Sequence, residues 1–116
     1  MFKKIRISPI LGHIVVCKLD GSICSIIEAK NENPRGLAIH SREKVLFYSD
    51  WGKNPMIVRI GLDGSNRKNL ITDKLHWPNG VAIDQILDRI YWSDAKLDIL
   101  ESADIHGNDR NESLKF

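Results

Sequence analysis

The acids that most invite a chemical reading close two related tetrads, Phe47-Tyr48-Ser49-Asp50 and, 44 residues later, Tyr91-Trp92-Ser93-Asp94. A carboxylate behind aromatic side chains can act as a general acid or base or ligate a metal, since perturbed acids gather in clefts. Recurrence at one place in a repeating frame argues for a structural role instead, that of accepting backbone N–H bonds which tie one repeat to the next. The aromatic members Tyr48, Tyr91 and Trp92 are expected as interior filling with satisfied polar tips. Metal sites built on Cys or His need clusters such as C-x-x-C or H-E-x-x-H, and the sequence has neither. A calcium loop ending its turn at Gly107 fails because Ser102 holds its first position. No G-x-S-x-G elbow, phosphate loop or dinucleotide fingerprint is present, so no cofactor is expected.

Other residues carry weaker chemistry. Cys17 and Cys24 flank Asp20-Gly21 and would face one another across a two-residue hairpin. A disulfide there competes with two objections: the next repeat has Ile60 and Arg67 in those places, and a hydrogen-bonded cross-strand pair strains the bridge. The sequence leaves both states open and does not decide the redox compartment. Asn111-Glu112-Ser113 is an N-glycosylation acceptor triplet, which agrees with secretion but also arises by chance. Of His13, His40, His76 and His106, His76 adjoins Trp77, where its charging near pH 5–6 would weaken binding.

The elements that position these residues repeat. The turns Leu19-Asp20-Gly21, Leu62-Asp63-Gly64 and Ile105-His106-Gly107 are each 43 residues apart. Pro34-Arg35-Gly36-Leu37-Ala38-Ile39-His40 returns as Pro78-Asn79-Gly80-Val81-Ala82-Ile83-Asp84 after 44. Short runs rich in Val, Ile, Leu, Phe and Tyr, bounded by Gly, Pro, Asn and Asp, read as strands. A period near 43 is that of a four-stranded propeller blade. One complete blade is expected over 34–73, with strands at 37–39, 45–49, 56–62 and 67–71. A second is expected over 77–116, its last strand near 111–116 and incomplete in this reading. Residues 13–30 supply only an outer hairpin of a partial blade, and 1–12 are an unassigned or degenerate start, a wrong start or a truncated blade. The fold class is therefore all-β, a partial propeller of about two and a half antiparallel blades. Closure needs at least four blades, so the chain is expected to be a piece of a longer protein or to associate.

Composition bounds the function. A 116-residue chain that is 42% hydrophobic and 28% charged wants a packed core. A net charge of +2 with mixed signs leaves no nucleic-acid footprint. No run of 18 apolar residues spans a membrane, and the apolar stretch 10–17 is interrupted by Gly12 and His13, so it makes a poor signal peptide.

Tyr91-Trp92-Ser93-Asp94 resembles the YWTD motif of the low-density lipoprotein receptor class B repeat. Asp50-Trp51-Gly52-Lys53-Asn54-Pro55 is similar to that family's D-W-G-x-x-P, Leu62-Asp63-Gly64-Ser65-Asn66-Arg67 to its L-D-G-S-x-R, and Trp77-Pro78-Asn79-Gly80 to its W-P-N-G. The resemblance covers roughly residues 14–110 and is nearest to the receptor-related and Wnt co-receptor members. It implies a six-bladed propeller beside epidermal-growth-factor-like modules, on the extracellular or lumenal side of an endocytic receptor or Wnt co-receptor. The implied partners are protein ligands of lipoprotein, Wnt or antagonist type, with no nucleic acid and no membrane contact by this segment. Departures are Phe47-Tyr48-Ser49-Asp50, which lacks the motif Trp, His40 and His106 where the family has Asp, and residues 4–7, which stand at a YWTD element without matching it.

In an antiparallel blade the start of the first strand, the end of the second and the start of the third lie at one end. Arg35, Trp51, Trp77, Asn79 and Lys96 therefore share a rim. Trp and Arg are over-represented among residues that carry binding energy. In related co-receptor propellers this rim holds an Asn-containing loop of a ligand or antagonist, and by motif position Arg35, Trp51, Trp77 and Asn79 match its contacts. The alternative has both tryptophans packing between blades and Asn79 bonding its own turn. Two further functions share the architecture. A nidogen-type propeller is a matrix adhesion module. A calcium-dependent lactonase of the regucalcin type needs several ligands in the channel, where this chain offers Asn79 and the repelling Arg35.

Overall fold

The computed structural model describes residues 3–7, 12–28 and 31–115. Eleven strands, and no helix, fall in those residues. The first sheet holds β1 (Lys3–Ile7), β2 (Ile14–Lys18) and β3 (Cys24–Glu28). The second holds β4 (Pro34–His40), β5 (Val45–Asp50), β6 (Met56–Gly61) and β7 (Lys68–Ile71). The third holds β8 (Pro78–Asp84), β9 (Arg89–Asp94), β10 (Ile99–Asp104) and β11 (Asn111–Lys115). Every strand pairs antiparallel with its chain neighbour within its sheet, so each sheet is a meander. This is a partial β-propeller.

Two apolar layers lie between the sheets. Ile14, Leu46, Tyr48, Val58 and Ile60 fill the first, and Phe47, Ile57, Ile71, Leu75, Ile90, Trp92, Ala103 and Ile105 the second. Alternation along β5 explains the split: Leu46 and Tyr48 point one way and Phe47 the other, so one strand feeds both layers. A middle sheet covered on both faces has β5 almost wholly buried. The apolar residues that open the turns follow the same logic. Ile105 is 4% exposed with a sheet before it, whereas Leu19, at the matching place in the first sheet, is 61% exposed.

The turns explain their own sequences. Gly21, Gly64 and Gly107 sit at φ +84°, +86° and +86°, a left-handed conformation open to glycine. Two residues on, Ile23, Asn66 and Asp109 are also left-handed. Asp20 Oδ1 accepts from the Ser22 N–H and hydroxyl, and Asp63 Oδ1 accepts from those of Ser65. In the third sheet His106 cannot do this, and Asp104 Oδ1 instead accepts from the N–H groups of His106 and Asn108.

The structure corrects two expectations. Within the stretch 1–12, by sequence an unassigned or degenerate start, Lys3–Ile7 is a strand on β2, giving the first sheet three strands in place of a hairpin. Its register also differs from that of a YWTD element at 4–7. Ile5 lies opposite Val16 as Phe47 lies opposite Arg59, so Ile5 holds the aromatic's place one residue later. The slot needs an apolar side chain facing the next sheet, and Ile supplies it. Residues 8–11 lie outside the described residues, and with them the first two positions, 10 and 11, of the apolar stretch weighed as a signal peptide.

Candidate ligand-binding rim

Asp50 and Asp94 organise the rim. Each ends the second strand of its sheet and accepts backbone N–H bonds from the segment entering the first strand. Asp50 takes the N–H of Glu32 at 3.1 Å and of Asn33 at 2.7 Å. Asp94 takes those of His76 at 2.8 Å and Trp77 at 3.2 Å, and also those of Lys96 and Leu97, both at 3.1 Å. Burial pushes the Asp94 carboxyl up, but the four N–H donors outweigh it and hold it below the usual carboxylate range. A second bond repeats beside each acid: Trp51 N–H donates to Asn33 O at 2.9 Å, and Ala95 N–H to Trp77 O at 3.0 Å. These carboxylates are therefore spent on the linkers that join one sheet to the next.

The linkers hold a ladder of side chains. The Trp51 and Trp77 rings, from adjacent sheets, lie 5.1 Å apart between centroids at a tilt of 34°. The Arg35 guanidinium sits 5.4 Å from the Trp51 centroid, and the Lys96 ammonium 5.0 Å from that of Trp77. An aromatic pair contributes about 0.5–1.5 kcal/mol beyond its burial, and an exposed cation–π contact about 0.5–1 kcal/mol. The order cation, ring, ring, cation thus fixes four long side chains in one arrangement. Trp77 keeps 39% of its surface exposed, and Arg35 and Lys96 are exposed at the two ends. The tryptophans thus pack across the blade boundary, as one of the two sequence readings has it, and still reach solvent.

Asn79 is half-buried, outside the ladder, and its carbonyl makes the contact that matters. Ser49 Oγ accepts from the Gly36 N–H at 2.9 Å and donates to Asn79 O at 2.6 Å, tethering the second sheet to the third. The approach is so close that a Cβ on Gly36 would stand 2.3 Å from Asn79 O. Ser93 Oγ likewise accepts from the Gly80 N–H at 3.1 Å. Only their membership of the tetrads marks the serines in sequence, and nothing in the spacing signals that they tether.

Of the aromatic tetrad members, Tyr48 is fully buried and donates its hydroxyl to Asn31 Oδ1 at 2.7 Å, with burial pushing its pKa up to about 12. Tyr91 is half-buried. Trp92 is buried, but its Nε1 has no hydrogen-bond partner among the described residues, which corrects the expectation of a satisfied tip. Its apolar layer of Phe47, Ile57, Leu75 and Ile105 offers no side-chain acceptor, and Arg110 covers the ring 5.5 Å from its centroid. Arg110 also donates two hydrogen bonds to the Glu101 carboxylate, at 3.0 and 2.8 Å, and one to Asp73 Oδ1 at 3.1 Å.

Cys17 and Cys24 face each other in register and are joined by a disulfide. At the end of the sheets opposite the rim, His40 is buried: its Nδ1 lies 3.3 Å from the Glu43 nitrogen, whose N–H it accepts, and its Nε2 2.8 Å from Asp88 Oδ1. Asp84 Oδ1 accepts the matching Leu87 N–H, so the imidazole nitrogen replaces a carboxylate oxygen in that turn. An open groove lined by Lys44, Val45, Arg59, Leu62 and Asn66 also lies at that end, away from the ladder. No group of three or more His, Cys, Asp or Glu suited to a metal occurs among the described residues.

The sequence model of the low-density lipoprotein receptor repeat class B matches residues 44–85 and 88–112, more than half of the chain. The vitellogenin receptor Yl of Drosophila melanogaster is 39% identical over 106 residues, which cover 90% of this chain and 5% of that receptor. The low-density lipoprotein receptor-related protein 5-like protein of Homo sapiens is 35% identical over 104 residues, 89% of this chain and 41% of that protein. Among solved structures, a nidogen/laminin complex contains a chain that superposes with a TM-score of 0.80 at 23% identity, covering 88% of this chain and 40% of that one. That likeness carries the fold alone.

Proposed function

The chain belongs to the low-density lipoprotein receptor class B repeat family, and from that membership we propose that it is a segment of an extracellular ligand-binding propeller, of endocytic or Wnt co-receptor type, which takes protein ligands on the tryptophan rim and catalyses no reaction. The observation that carries the reading is the Arg35, Trp51, Trp77, Lys96 ladder. Ordering long side chains costs free energy on binding, and a surface whose anchors are already stacked loses less on association. Trp and Arg at the centre of such a patch are the types that dominate alanine scans. Flanking blades and epidermal-growth-factor-like modules are the structural neighbours this reading expects.

Both relatives bear receptor names, which favours a receptor over a matrix adhesion module of nidogen type. The disulfide agrees with an oxidising, extracellular setting. Against a lactonase, Arg35 brings a positive charge to the position where a calcium ligand is needed. The test is capture of secreted proteins from conditioned medium by the propeller carrying this segment. Trp51→Ala and Trp77→Ala are expected to weaken a captured ligand by about tenfold or more, the scale of a hot spot. Ile86→Ala, at the opposite end, should leave it unchanged. Equal capture by all three, or a calcium-dependent esterase activity, would overturn the reading.

A further inference from the structure

Asn111 is the only asparagine in the chain with Ser or Thr two positions later. It opens β11, the outermost strand of the third sheet, all five residues of which are exposed. Asn111 lies opposite Ser102, whereas Lys115, at the other end of the strand, lies opposite Ile99, itself paired with Asp94 of the rim. The triplet thus sits at the end of the blade remote from the tryptophans. Lys68 holds the same place in β7 and stays exposed although the third sheet packs against the second, so a neighbouring blade need not cover this position. Asn111 Nδ2 donates one bond, to Asp109 O at 3.1 Å. Substitution of one amide hydrogen leaves the other free to keep that bond. The Cys17–Cys24 disulfide agrees with an oxidising compartment, which is where such amides are modified.

We propose that Asn111 carries an N-linked glycan which shields the open outer edge of the third sheet. In the transfer, Nδ2 bonds to the anomeric carbon of an oligosaccharide linked to a lipid diphosphate. The carbon–oxygen bond to the diphosphate breaks, the electron pair leaves with the diphosphate, and the amide gives up one proton. The shielding follows from comparison of the edges. A β edge with free N–H and C=O groups is a pairing template, and lysine is a common guard against it. β7 has Lys68 in this slot; β11 has a neutral asparagine there, holds its charges further along at Glu112 and Lys115, and leaves Leu114 half-exposed. A bulky hydrated glycan supplies the guard that the charge supplies in β7. The proposal depends on the extracellular placement above and is independent of rim binding.

The experiment secretes the chain from animal cells behind a heterologous signal peptide and measures its mass before and after peptide-N-glycosidase treatment. One glycan is expected on the wild type, and none on Asn111→Gln or Ser113→Ala. Light scattering is expected to show self-association of both unglycosylated variants and its relief in Asn111→Lys. A secreted, disulfide-bonded chain with unmodified Asn111 overturns the site. Equal association of glycosylated and unglycosylated chains overturns the shielding. If a variant is not secreted, glycosylation of the wild type in microsomal translation, which needs no folding, decides the site.

Discussion

Replacing Asp94 with asparagine keeps the shape of the side chain and removes its charge, and the geometry dictates the cost. Oδ1 receives three N–H groups at 3.1–3.2 Å and Oδ2 receives that of His76 at 2.8 Å. An amide oxygen can keep the first set with weaker bonds, but the NH2 group then points a donor at the His76 N–H. A hydrogen bond to a charged group contributes about 1.5–3 kcal/mol, and a donor left unsatisfied costs about 1–3 kcal/mol. A loss of roughly 2–4 kcal/mol is expected, a large share of the ~5–15 kcal/mol available to a domain. At about 4 °C per kcal/mol for a chain of this size, Tm should fall by roughly 8–16 °C in a circular-dichroism melt at pH 7. The pH dependence has a definite sign. Because the folded Asp94 carboxyl is held below its ordinary value, its stabilisation is complete above the unfolded carboxyl pKa of about 3.9 and fades as pH falls through the lower folded value. The gap between wild type and Asp94→Asn should therefore stay constant from pH 7 to about 5 and narrow in stronger acid. A Tm within about 2 °C of wild type at pH 7, or a gap that widens in acid, would refute the hydrogen-bond role.

Three other outcomes are expected. Gly36→Ala should cost roughly 1–3 kcal/mol in urea melts because its Cβ meets Asn79 O, while Gly80→Ala, whose Cβ has only Ser93 Oγ at 3.4 Å, should lie within about 0.5 kcal/mol of wild type. Ile23→Asn should stabilise the chain by up to about 1 kcal/mol, since Ile23 is β-branched at φ +46° and 72% exposed, where the matching turns use Asn66 and Asp109; lower stability would show that its side chain is needed. Reducing the Cys17–Cys24 bridge should lower stability by about 2 kcal/mol, read as a lower urea midpoint with dithiothreitol, and an unchanged midpoint would contradict the staple.

What the sequence makes legible is its turn chemistry. Glycine at a left-handed position and aspartate ahead of a serine are demanded by backbone geometry, so they recur with the sheets, and strand connectivity then places Arg35, Trp51, Trp77 and Lys96 at one end. Strand β1 is hidden because its slot asks only for apolar character, which Ile5 meets without a motif. The stacking of Trp51 on Trp77 is hidden for a different reason. The two occupy non-equivalent places in their repeats, those of Ala95 and Asn33 in the other copy, and no periodicity pairs them. The departures at His40 and His106 prove to be substitutions of one acceptor atom for another, His40 Nδ1 for a carboxylate oxygen and Asp104 for the missing turn acid. Trp92 Nε1 has no such replacement among the described residues.

The rim is tested most directly by oxidative footprinting of the propeller carrying this segment, free and with a captured protein ligand, reading Trp77 and Arg35 against the exposed Ile86 and Leu87 at the far end. Protection of the ladder with unchanged labelling at Ile86 and Leu87 is the predicted result. Equal labelling of Trp77 in both states, with protection appearing at the far end, would contradict it.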